Sequence, residues 1–188
     1  PDQSSAASDV YKRQAHNGNL TNAKQLGNEL FHAEMRHLQT DSDSEVLLNV
    51  FVHELAKQRE IYPTAKNIFK AVRKTHIRCD GAYAILALIT GYGIVAFRDV
   101  NGIRPLSIGV RKGKKRDEYI IASEDALFVT LGFEKIRDID PGEAIFIDKD
   151  GNLFSEQCAQ DTQKRPCIFE YVYFSRPDSK IDEISVYK

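Results

Sequence analysis

Apolar residues recur at helical spacing through the first half of the chain and at strand spacing through the second. Ala23, Leu26, Leu30 and Ala33 share one side of a 3.6-residue repeat, which predicts a helix opened by Thr21 or Asn22. The stretch Thr40-Asp41-Ser42-Asp43-Ser44-Glu45 is rich in N-capping residues. Val46, Leu47, Val50, Phe51 and Leu55 follow with the same period and predict a second helix. A third, from about 64 to 76, carries Ile68, Phe69 and Val72 inward, with Pro63 tolerated at its start.

From Gly81 the period changes. Residues 81–90 form a continuous apolar run and 92–99 follow across Gly91-Tyr92-Gly93, which predicts a buried hairpin. Further strands are expected at 103–110, 118–122, 134–138, 144–148 and 153–157. Ser123 is expected to cap a short helix that runs through Leu131 and stops at Gly132. Residues 167–175 read as a last extended segment, with the aromatic run Phe169 to Phe174 in the core. Helices first and short antiparallel strands afterwards predict an α+β layered domain. Residues 1–14 show no sustained period and few core formers. They are set aside as a disordered or foreign leader, leaving 15–188 as the domain. The stretch Ser185-Val186-Tyr187-Lys188 brings no closing element, as in a truncated chain.

Composition narrows the classes. The 188 residues carry a formal net charge of −1, so no overall field favours nucleic acid or an anionic membrane. The basic run Arg111-Lys112-Gly113-Lys114-Lys115-Arg116 is followed at once by Asp117-Glu118 and reads as a solvated hairpin loop. Cys79, Cys158 and Cys167 have neither an even count nor metal-ligand spacing, as expected of free thiols in a reducing cytoplasm. The histidines at 16, 32, 37, 53 and 76 form no close i,i+4 pair of zinc ligands, so no metal site is expected. The longest apolar stretch, 82–89, is too short to cross a bilayer.

Asn17-Gly18 carries the candidate chemistry. An Asn side-chain amide beside a Gly backbone N–H can place two donors on one developing oxyanion, although Asn-Gly is also the commonest tight-turn dipeptide. The segment Arg98-Asp99-Val100-Asn101-Gly102-Ile103-Arg104-Pro105-Leu106 reads as a turn. In it Asp99 bonds local N–H groups and the arginines are solvated; alternatively Arg104 holds a ligand carboxylate. Asp43 could pair with a ligand's ammonium group or serve the helix start.

Five segments in this order resemble one family. They are His16 to Asn22, Ser42 to Glu45, Arg98 to Leu106, Leu131-Gly132-Phe133-Glu134 with Pro141-Gly142-Glu143-Ala144, and Cys167 to Ser179. Together they are similar to the glutamine-amidotransferase domain of amidophosphoribosyltransferases, from about Ala15 to Tyr187. The resemblance implies a four-layer α/β/β/α sandwich of two antiparallel sheets, the N-terminal-nucleophile (Ntn) hydrolase architecture, here incomplete at its N-terminus. It implies that an N-terminal cysteine, with its own α-amine as base, attacks the carboxamide of glutamine. A free α-amine titrates at about 7.7–8.0, near working pH. Asn17 and Gly18 would form the oxyanion hole and Asp43 would hold the substrate's α-ammonium. Ammonia would then pass to a phosphoribosyltransferase domain, where phosphoribosyl pyrophosphate and Mg²⁺ bind. The resemblance further implies a homo-oligomeric, cytoplasmic parent with no nucleic-acid or membrane partner.

The chain departs from that pattern in ways that set further expectations. No cysteine precedes Cys79, and an internal thiol has no α-amine beside it, so the fragment is expected to be inactive alone. The arginine that the family uses for the substrate carboxylate and the transferase domain are both expected outside this sequence. Cys167 matches a position where some members place an iron–sulfur ligand, which leaves a cluster open for the parent. Two other readings stand beside this one: a non-catalytic binding domain on the same sandwich, and a sister amidotransferase delivering ammonia to a sugar phosphate or to aspartate. The Cys167 to Ser179 segment argues against the sister enzyme.

Overall fold

The computed structural model describes residues 12–60 and 62–186. Strand β1 (Lys12–Leu20) is followed by helices α1 (Ala23–His32), α2 (Asp43–Ala56) and α3 (Ala65–Arg78). Then come β2 (Gly81–Ile89), β3 (Gly93–Arg98), β4 (Ser107–Arg111), β5 (Glu118–Ala122), α4 (Ala126–Thr130), β6 (Glu134–Asp138), β7 (Glu143–Asp148) and β8 (Leu153–Gln157). A π-helical turn, Glu170–Phe174, and a small hairpin of β9 (Lys180–Ile181) and β10 (Ile184–Ser185) follow.

Local chemistry explains where the helices start. At α2 the Ser42 hydroxyl accepts the Ser44 N–H at 3.3 Å, and the Glu45 carboxylate accepts the N–H groups of Gln39 and Thr40 at 2.8 Å each. A capping box of Thr64 and Asn67 opens α3. Asn22 occupies the cap position of α1, but its side chain reaches elsewhere. It donates to the Arg78 carbonyl at 2.8 Å and accepts the Asp80 N–H at 3.1 Å, tying the start of α1 to the end of α3.

Five antiparallel strands form one sheet in the order β1-β2-β3-β7-β8, and three form a second in the order β5-β4-β6. The pleat separates two cores. Tyr83, Ile85, Val95, Phe97, Ala144 and Phe146 face the helices and pack with Leu26, Leu30, Val50, Ile68 and Val72. Ala84, Ala96 and Ile145 face the other way and pack with Leu106, Ile108 and Ile139 of the second sheet. Each fully buried aliphatic or aromatic side chain contributes about 1.5–3 kcal/mol, so both faces of the five-stranded sheet are held firmly. The α+β sandwich is therefore the architecture observed, with its fourth layer reduced to α4 among the described residues.

The structure corrects several expectations. Lys12 to Gln14, placed in the leader, pair with Ile89, Leu88 and Ala87 inside β1; residues 1–11 lie outside the described residues. The segment 167–175 is not extended: Glu170–Phe174 coil into a π-helical turn. There Phe169, Val172, Tyr173 and Phe174 stand half or more exposed rather than in the core. The N-cap position of α4 is Asp125, not Ser123. Arg98 is buried, not solvated.

Candidate functional site

Asn17 and Gly18 lie on β1, at the edge of the five-stranded sheet. Gly18 faces Tyr83 on β2. Its φ is +153°, and a Cβ there would sit 2.0 Å from the Ala82 carbonyl oxygen, so only glycine lets the two backbones approach this closely. The two groups Tyr83 could offer are both engaged on its other side. Its N–H donates to Asp99 Oδ2 at 3.2 Å and its carbonyl accepts the Asp99 N–H at 2.8 Å. Antiparallel pairs alternate between bonded and non-bonded, so Gly18 points its N–H away from β2. Two neighbours fix the same parity. The Thr21 N–H bonds the Asp80 carbonyl toward β2, and the Leu20 N–H turns outward to Asp43 Oδ2 at 3.0 Å.

The structure therefore brings Gly18 and Asp43 to the same edge. Asp43 is the first residue of α2, and that helix packs on β1. His16, two residues before Gly18 and on the same face, is nearly buried. Its Nδ1 lies 2.8 Å from the Ser44 hydroxyl and 3.7 Å from Asp43 Oδ1. Burial lowers the His16 pKa against the pull of Asp43, and the Arg104 charge lowers it further. The imidazole is accordingly held in its neutral form near pH 7.

Asn17, one residue earlier, points to the opposite face, between the sheets. Its amide reaches the Ser123 hydroxyl at the end of β5 at 3.5 Å. A cavity of about 700 Å³ lies beside the Gln39–Asp41 approach to α2, but Asn17 and Gly18 do not line it.

The 98–106 segment is structural. Asp99, fully buried, accepts the N–H groups of Asn101 and Ile103 besides that of Tyr83, as the turn reading expects. Arg98 donates to the carbonyls of Arg104, Gly102 and Ile139 and makes a two-pronged pair with Asp182 at 3.0 Å on each arm. Arg104 holds a carboxylate, but the protein's own: Glu170 Oε1 at 2.6 Å. Sequence reading missed His16, Tyr83 and the Ser123 contact. The alternation of β1 was the available signal, since it assigns 16, 18 and 20 to one face and 17 to the other.

Cys79 and Cys158 are buried thiols ill suited to nucleophilic work. Burial pushes the Cys79 thiol up to about 12 and the Cys158 thiol up to about 11. Among the described residues no three His, Cys, Asp or Glu side chains gather as a metal site, so Cys167 has no such ligand set around it here. No helix among them is long and apolar enough to cross a membrane.

Residues 3–130 match the family described as the glutamine amidotransferase domain. The chain belongs to the glutamine amidotransferase family. That match begins at residue 3, inside the segment set aside as a leader. The amidophosphoribosyltransferase of Pseudomonas aeruginosa is 55% identical over 174 residues, which are 93% of this chain and 35% of that protein. The Escherichia coli amidophosphoribosyltransferase is also 55% identical, covering 92% of this chain and 34% of its own length. A glutamine phosphoribosylpyrophosphate amidotransferase from Bacillus subtilis, solved with ADP and GMP, superposes with a TM-score of 0.76 at 35% identity, over 95% of this chain and 36% of that one. This amidotransferase chain thus spans about a third of the length of the relatives it matches.

Proposed function

We propose that this chain is the glutamine-hydrolysing part of an amidophosphoribosyltransferase. The parent would release ammonia from glutamine and transfer it to phosphoribosyl pyrophosphate, giving 5-phosphoribosylamine, glutamate and pyrophosphate, the first committed step of de novo purine synthesis. One observation carries the reading: the Gly18 N–H is turned off the sheet edge, and the next N–H directed the same way along β1, that of Leu20, is met by Asp43.

In this reading a cysteine thiolate from outside the described residues attacks the side-chain carbonyl carbon of glutamine. The charge that gathers on oxygen meets the Gly18 N–H and an N–H of the Asn17 amide. Collapse expels the amide nitrogen as ammonia, which takes its proton from the group that had deprotonated the thiol, and leaves a γ-glutamyl thioester. Water then attacks the thioester through a second oxyanion on the same donors, and glutamate leaves. Asp43 holds the α-ammonium throughout. The neutral state of His16 supports that role, because an imidazolium 3.7 Å away would compete with the substrate's cation. Free thiols in place of disulfides support a cytoplasmic protein.

The test is isotopic transfer. The protein expressed from its complete gene is incubated with [amide-¹⁵N]glutamine and phosphoribosyl pyrophosphate. The reading expects ¹⁵N in phosphoribosylamine and one glutamate per pyrophosphate, whereas Pro1–Lys188 alone hydrolyses no glutamine. Glutamine left intact by the complete protein would refute it.

A further inference from the structure

Three consecutive residues after β5 face two different parts of the molecule. The Ser123 hydroxyl accepts one N–H of the Asn17 amide at 3.5 Å. Glu124 Oε2 accepts the Arg176 N–H at 2.8 Å and the Ser179 hydroxyl at 3.0 Å. Asp125 accepts the Lys180 N–H at 2.9 Å through one oxygen and pairs with Lys135 at 3.1 Å through the other. The far partner is well seated. Ser179 is fully buried, and its carbonyl accepts the Val186 N–H at 3.1 Å.

Ser123 is free to play this part because it does not cap α4. An asparagine amide has two N–H donors, and its terminal torsion is broad and roughly two-fold. With one donor held by Ser123, the plane of the amide is set and the second donor has a fixed direction. An oxyanion donor works only when it is aimed before charge develops. The 3.5 Å contact is a weak bond between neutral groups, so it orients the amide without outbidding a charged oxygen.

We propose that the Ser123–Asp125 turn is a positioning element: Ser123 aims the Asn17 amide, and the seating of residues 176–180 on Glu124 and Asp125 holds Ser123 in place. Lifting that segment off the turn would then slow glutamine hydrolysis from a distance. The proposal rests on the role of Asn17 proposed above.

Steady-state glutamine hydrolysis by the protein from its complete gene tests it. Ser123→Ala should lower kcat about 5- to 10-fold, the worth of one neutral hydrogen bond, with the KM for glutamine unchanged because Asp43 is untouched. Ser123→Thr, which keeps the hydroxyl, should restore kcat to within about twofold. Glu124→Ala should lower kcat in the same way, again without a change in KM. In an Asn17→Ala background neither substitution should cause a further loss, because both act through that amide. Should Ser123→Ala fail to fold, Ser123→Cys takes its place with the same loss of kcat expected. Wild-type kcat in the Ser123 variant, or losses that multiply with that of Asn17→Ala, would overturn the proposal. An Asn17→Ala protein with full activity would overturn the underlying reading as well, so the two failures are distinct.

Discussion

Tyr83 offers Gly18 no hydrogen bond although the two residues face each other across β1 and β2. Both polar groups of the Tyr83 backbone are taken by Asp99, on the far side of the strand. The consequence is an edge strand whose Gly18 N–H, like that of Leu20, is directed outward beside a helix that begins with a carboxylate.

Gly18 should tolerate no side chain. A methyl group there would meet the Ala82 carbonyl at 2.0 Å, and the neighbour is backbone that cannot step aside. Gly18→Ala is expected to destabilise the protein by about 2 kcal/mol or more. Denaturant unfolding checks this, with a fall in the midpoint expected.

Asp43 has two duties that one pair of substitutions can separate. It accepts the Leu20 N–H through Oδ2, and in the proposed function it also carries the charge that binds an ammonium group. Asp43→Asn keeps an acceptor and removes the charge. It should raise the KM for glutamine at least about tenfold, the loss of one charge-assisted bond, with little change in the melting temperature. Asp43→Ala should lower the melting temperature too.

Arg98 and Asp182 form a buried pair, with Arg98 1% and Asp182 6% exposed at their side chains. Removing the acid leaves a guanidinium stranded in the core. Asp182→Ala should therefore cost about 3–5 kcal/mol of stability, measured by urea unfolding, although Asp182 lies far along the chain from Arg98. A loss below about 1 kcal/mol would contradict this account of the tail.

His76 makes stability fall in acid. Burial lowers its pKa to about 4, and its Nδ1 lies 2.9 Å from the Tyr83 hydroxyl. Above pH 6.5 the ring is neutral in both folded and unfolded chains, so it has no effect. Between pH 6.5 and 4 the unfolded chain binds a proton that the folded one refuses, and stability declines by up to about 3 kcal/mol. Unfolding curves from pH 7 to 4 should show this decline, and His76→Gln should flatten that part of it.

Much of the fold was legible in the chain because its periods are clean. The strands at 118–122, 134–138 and 153–157 fall where the sequence reading places them, and the helices Asp43–Ala56 and Ala65–Arg78 begin at capping residues. The tail was misread because the aromatic run Phe169 to Phe174, broken only by Glu170, has no period to separate strand from helix, and in the structure Phe169, Tyr173 and Phe174 are half or more exposed. Arg98 was misread for another reason. Its partners are backbone carbonyls at 102, 104 and 139 and a carboxylate at 182, contacts that only the folded chain assembles. For the site, the identities of Asn17, Gly18 and Asp43 came from the sequence. The direction of the Gly18 N–H came from Asp99, 81 positions away.

The most direct measurement compares glutamine hydrolysis by the wild-type protein and by Asn17→Ala, both expressed from the complete gene and both shown to be folded. The account predicts a fall in kcat of about 10²–10³, the loss expected for one oxyanion donor, with the KM for glutamine nearly unchanged. An unaltered kcat in the folded variant would contradict it.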